Sequence, residues 1–251
     1  MASLDRHHPF FYPFHLTPHY HKDAAYHNGA VWLCLNGIAM QRMIEAGQEE
    51  TAYLLFKNMN WQALNLGVVG GLCENMDAYP HEGADWATLT GAYLQAWSNA
   101  EHLRVWYQYF LGIRPDLINN TLTLAPRIPA EMTSLNYHIN VGEGRIEATF
   151  ARGLETTYRY AFKHVGLKVE IDLPSFELLV VDVEPNTELI LKQVDDELSV
   201  ILSDAQGQVL KRIAATVSPS RVEQAKRNDR VMKGVAFAKP MGLENHPVVK
   251  Q

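Results

Sequence analysis

Apolar positions along the chain follow a helical period at first and a period of two later on. Asn28 can cap a helix whose apolar residues continue to Ala46, where Gly47 stops it. A second helix is predicted from Glu49 to about Leu64, with Ala52, Leu55, Phe56, Met59 and Ala63 on one face. Gly67, Gly70 and Gly71 end it and free the backbone for an irregular loop. A third helix is predicted from about Leu89 to Leu111, because Tyr93, Trp97, Ala100, Leu103, Tyr107 and Phe110 recur at helical spacing. After Gly112-Ile113-Arg114-Pro115-Asp116 alternation takes over, in Leu135-Tyr137-Ile139, Ile146-Ala148-Phe150, Tyr158-Tyr160-Phe162, Leu167-Val169-Ile171 and Leu198-Val200-Leu202. Turn signals at Gly142-Glu143-Gly144 and Asp204-Ala205-Gln206-Gly207 separate these runs. The charged stretch from Ser218 to Lys233 reads as a helix or a loose connector.

Long helices on long loops suit a helical barrel with a site at one rim, and short strands at steady spacing suit an antiparallel β-sandwich. The expected fold class is therefore mixed, α then β, with residues 1–114 as the helical part and residues 115–251 as an antiparallel β domain. The 251 residues, 47% apolar and 20% charged, are those of a soluble globular protein. A formal charge of −6 without a Lys/Arg stripe argues against a nucleic-acid partner. The longest apolar run in a helical stretch, Gly29 to Leu35, is too short to span a bilayer, so no membrane partner is expected. The polar start Met-Ala-Ser-Leu-Asp-Arg-His-His does not read as a signal peptide, which favours the cytoplasm. Cys34 and Cys73 have no metal-type spacing and read as small, half-buried, reduced thiols.

The residues suited to chemistry lie in the helical part. Glu74 sits on a Gly-rich loop amid Cys73, Met76 and Tyr79, surroundings that fit a carboxylate for general acid/base work. Spacing alone favours the blander reading of a helix-start carboxylate or a buried ion-pair partner, and Asp77 carries the same ambiguity. His27 and Asn28 place an imidazole and an amide at a helix start, able to hold sugar hydroxyls or simply to cap. Trp32 and Trp97 offer flat rings that match the C–H face of a pyranose, although helical spacing also fits a core role. Gln95 precedes Trp97 by half a turn. Glu101 reads as an ordinary helix-face charge paired with Arg104 or His102 rather than as a second acid. The run His7, His8, His15, His19, His21 and His27 lacks an adjacent carboxylate or thiol set, so no metal is expected. Asn119-Asn120-Thr121 is a three-residue glycosylation sequon and carries little weight.

Taken together, Tyr26-His27-Asn28-Gly29-Ala30-Val31-Trp32, Gly70-Gly71-Leu72-Cys73-Glu74, Pro80-His81, Gln95-Ala96-Trp97-Ser98-Asn99-Ala100-Glu101 and Leu124-Ala125-Pro126 resemble one family in order and spacing. That family is the bacterial glycogen debranching enzymes (amylo-α-1,6-glucosidases), in their C-terminal portion, and the resemblance runs from Tyr26 to Pro129. It implies a partial (α/α)6 barrel followed by the β-sandwich-like domain. It also implies inverting hydrolysis of α-glucosidic linkages: one carboxylic acid protonates the glycosidic oxygen, and a carboxylate roughly 6.5–9.5 Å away activates water. Glu74 inherits the role of general base. His27, Asn28, Trp32, Asp77, His81, Gln95 and Trp97 become substrate-binding residues, and no cofactor is required.

The resemblance also implies a gap. The family's general acid, an Asp, belongs to an earlier part of the barrel, and Asp5 and Asp23 lack its surroundings. The chain thus reads as the C-terminal portion of a longer enzyme, inactive alone. Its expected partners are an oligosaccharide or polysaccharide, and either the missing barrel half or a second copy covering exposed apolar surface. Rival readings are a glycoside phosphorylase, a rhamnosidase-like enzyme and a non-catalytic carbohydrate-binding remnant.

Overall fold

The computed structural model describes residues 30–77 and 87–234. Contacts divide the chain into two compact units, one of which runs to Trp106 while the other spans Tyr107–Val231.

In the first unit, strand β1 (Val31–Trp32) leads into helix α1 (Leu33–Glu45), and α2 (Glu49–Asn65) follows after a tight connection. Gly47, at φ 73°, makes that connection possible: its N–H donates to Ile44 O at 2.9 Å and the next N–H, of Gln48, to Met43 O at 2.8 Å. Leu33, Met40 and Ile44 of α1 are buried, as are Ala52, Phe56 and Met59 of α2. Each of the larger side chains contributes about 1.5–3 kcal/mol when fully buried, and Ala52 less. Short strands β2 (Asn75–Met76) and β3 (Leu89–Thr90) complete a three-stranded antiparallel sheet in the order β1-β2-β3. Helix α3 (Ala96–Val105) passes into a π-helical turn, Trp106–Phe110.

This corrects the expected fold class. Among the described residues there are thirteen strands in three sheets and only four α-helices, and no partial (α/α)6 barrel is formed. Two local causes stand out. The stretch predicted as the start of the third helix is extended, because Thr90 pairs with Asn75 and Gly91 follows at φ 68°. The first helix likewise starts only at Leu33, because Val31 and Trp32 pair with Met76 and Asn75. No described helix is long and apolar enough to cross a membrane.

The second unit fits a sandwich. Strands β4 (Ile113–Asp116), β5 (Thr121–Leu124), β9 (Leu167–Ile171) and β10 (Leu179–Val183) form one sheet, ordered β10-β9-β5-β4. Strands β6 (Ser134–Val141), β7 (Gly144–Arg152), β8 (Thr156–Lys163), β11 (Glu188–Val194), β12 (Glu197–Ser203) and β13 (Val209–Ala214) form the other, ordered β13-β12-β11-β8-β7-β6. Pairing is antiparallel except between β5 and β9, which run parallel. The alternation seen in sequence is the burial pattern: Ile146, Ala148 and Phe150 on β7 are buried, as are Tyr158, Tyr160 and Phe162 on β8. Pro115 lies on the edge strand β4, where its missing N–H costs no ladder bond. The charged stretch near the end forms helix α4 (Pro219–Gly234). Its Arg221 is held by the Asp172 carboxylate and the Phe176 carbonyl oxygen.

Candidate functional site

The site is built on two chain segments that run antiparallel to each other, residues 71–77 and 88–95. Asp77 N–H donates to Thr88 O at 2.9 Å, Glu74 N–H to Ala92 O at 2.8 Å, and Gln95 N–H to Leu72 O at 2.9 Å. Asn99, one turn into α3, accepts the Leu72 N–H on its side-chain oxygen at 2.9 Å. The Gly-rich turn feeds this ladder, since Gly67 (φ 65°) and Gly70 (φ 79°) take backbone angles that β-carbon-bearing residues avoid. A hydrogen-bonded pair of extended segments thus takes the place of the irregular loop expected around Glu74.

Glu74 is half-buried, and its Oε2 accepts the Ala92 N–H at 3.0 Å. A hydrogen bond from a backbone amide to a carboxylate is worth about 1.5–3 kcal/mol and fixes the group's direction. The next residue, Asn75, is fully buried and accepts the Thr90 hydroxyl on Oδ1 at 3.2 Å. Asp77 is buried at the end of β2. The Glu74 charge reaches both thiols: burial first, and the neighbouring carboxylate in addition, push Cys73 up to about 11. Cys34 is raised for the same leading reason, with Glu101 and Glu74 adding to it.

Trp32 and Trp97 come together, their ring centroids 6.0 Å apart at an interplanar angle of 49°. Trp97 is 47% exposed, whereas Trp32 is half-buried. Gln95 is half-buried and stands at the N-terminus of α3. Glu101 is committed elsewhere: Arg104 donates to both of its oxygens at 2.8 Å and also to Gln41 at 3.0 Å. Its Oε2 and Cβ would stand 2.7 and 2.8 Å from a Cβ on Gly37, so α1 and α3 pack without a side chain between them there. His102 turns inward, stacks on Phe56 at 4.1 Å and meets Asn60 at 2.7 Å, and burial lowers it to about 4.

Among the sequence-predicted site residues, the structure describes Glu74, Asp77, Trp32, Gln95 and Trp97, and His27, Asn28 and His81 lie outside the described residues, as does the N-terminal His run. Sequence reading missed Asn75, Gly91, Ala92 and Asn99. The signal for Gly91 was present, an isolated Gly within a supposed helix next to β-branched Thr90. The sandwich unit offers a shallow groove of about 660 Å³ along β11, β12 and β13. It is lined by no aromatic ring, and its Lys192 is tied to Glu155 at 2.8 Å, so it lacks the stacking surface of the Trp32–Trp97 region.

Residues 1–104 match the amylo-alpha-1,6-glucosidase family model. The matched segment thus carries a carboxylate held by a backbone amide and, separately, an exposed indole packed on a second one. The similarity to the C-terminal portion of glycogen debranching enzymes holds for this segment, which ends at Arg104 within α3. The matched segment contains every residue named in the site, and the chain is similar to this family over that stretch alone. No curated protein and no solved structure matches the chain.

Proposed function

We propose that the amylo-alpha-1,6-glucosidase segment hydrolyses α-1,6-glucosidic branch points with inversion, that Glu74 is its general base, and that the general acid comes from polypeptide outside this chain. The observation that carries this reading is the fixed Glu74 carboxylate on a backbone ladder within the family-matched segment. In an inverting reaction the base removes a proton from water as its oxygen attacks the anomeric carbon, while an acid on the other face protonates the departing oxygen. Glu74 has the fixed direction such a base needs. Glu101 does not suit the acid's role, because Arg104 takes both of its oxygens and leaves neither aimed at a leaving group. Trp97, with Trp32 against it, supplies a flat apolar ring for a glucose unit, and the half-buried Gln95 supplies polar groups for hydroxyls.

The test is the anomer released first from a branched α-dextrin. The chain is joined to an acid-bearing upstream polypeptide and the products are followed by proton NMR. β-Glucose appearing before mutarotation supports the proposal. α-Glucose as first product, or release that depends on inorganic phosphate, contradicts it.

A further inference from the structure

The residues facing Glu74 across the ladder form a closely fitted seat. Gly91 stands at φ 68°, and a Cβ built there would overlap Glu74 Oε2, lie 2.6 Å from Asn75 Oδ1 and lie 3.0 Å from Glu74 Cβ. The following residue, Ala92, donates its N–H to Glu74 Oε2 at 3.0 Å and accepts the Glu74 N–H on its carbonyl oxygen at 2.8 Å. Asn75 is anchored by Thr90, the residue just before Gly91, so the seat has a buried wall on one side. Two thiols also sense the carboxylate, Cys73 on its own segment and Cys34 on α1, and Cys34 senses Glu101 of α3 as well.

We propose that Gly91 and Ala92 are positioning residues for the general base: the missing side chain at 91 lets the Glu74 carboxylate close on the Ala92 N–H, which fixes the direction of its oxygens. This rests on Glu74 acting as the base, but the seat has consequences that need no turnover. A left-handed backbone angle alone would make any Gly91→Ala change costly, whatever stands at position 74. A seat filled by the carboxylate predicts something different, namely that the cost depends on Glu74.

Two measurements on the full chain test it. In the first, the Ala92 amide is followed by proton–nitrogen NMR as pH is lowered. Its resonance moves as Glu74 takes up a proton in the wild type and stays still in Glu74→Gln. In the second, unfolding is measured for Gly91→Ala, Glu74→Ala and the double variant. The penalty of Gly91→Ala in the unfolding equilibrium is smaller in the Glu74→Ala background, on the order of tenfold. An Ala92 resonance indifferent to pH in the wild type, or strictly additive penalties, would overturn the proposal. Should Gly91→Ala fail to fold, Glu74→Asp replaces it: one methylene shorter, it leaves the charge but withdraws it from Ala92, and the pH response of that amide is lost. A retained response in Glu74→Asp overturns the seat. A responsive amide combined with undiminished glucose release by Glu74→Gln would leave the seat intact and remove its catalytic meaning.

Discussion

His102 shows how a single residue's surroundings set a measurable property. Its ring is packed on Phe56 and bonded to Asn60, and burial lowers it to about 4 from an ordinary 6.5. The folded state therefore resists protonation where the unfolded chain accepts it. The associated stability is fully present above about pH 6.5 and is lost as pH falls from there through 4. The full difference is roughly 3 kcal/mol. We predict that urea midpoints fall with pH across this window in the wild type and fall less in His102→Gln; equal slopes would contradict it. Cys73 makes a second residue-scale prediction. With its thiol pushed up to about 11, alkylation of the native chain at pH 8 is expected to be about 100-fold slower than for an ordinary thiol, a difference erased in denaturant. At this scale the sequence was partly legible. The Arg104 partnership of Glu101 could be read from neighbours in sequence, whereas the extended pairing around Glu74 and the Ala92 N–H on its carboxylate, eighteen positions away, could not.

Among the elements, the two best predicted are α1 and α2, whose stops at Gly47 and before Gly67 are local, although α1 starts at Leu33 rather than after an Asn28 cap and neither helix has a side-chain cap. The third predicted helix fails in an instructive way. Tyr93 lies before α3 and is 62% exposed, Leu103 is 57% exposed, and the buried face of α3 is Ser98, His102 and Val105. Periodicity located a helix but mistook its solvent side for its core side, since a polar ring such as that of His102, stacked on Phe56 and bonded to Asn60, can occupy a buried face. The β runs were legible because alternation on a sheet with one buried face leaves little freedom of register. Gly112 supplies the sharpest prediction here. It has φ 69°, and a Cβ on it would overlap the Ala125 carbonyl. Gly112→Ala is expected to cost about 3 kcal/mol or more in unfolding free energy, by the combination of angle and overlap. A loss under about 0.5 kcal/mol, the level of an ordinary surface change, would contradict the assignment.

At the level of the whole molecule, a helical unit with a small sheet accompanies a strand-rich unit that fits a sandwich. The change of period near Gly112 announced the change of texture, but the motif-based expectation of a barrel did not survive. Short motifs report the local chemistry of Glu74 and Trp97, while the number and pairing of helices depends on contacts that no motif encodes. The family match through Arg104 and the Glu74 ladder therefore carry the functional account. Its central claim is tested most directly by the turnover of Glu74→Gln in the chain joined to an acid-bearing upstream polypeptide, with oligosaccharide affinity measured in parallel. The account predicts that glucose release from branched dextrin falls by about 10³-fold or more while affinity changes little. Glucose release by Glu74→Gln at the wild-type rate would contradict it.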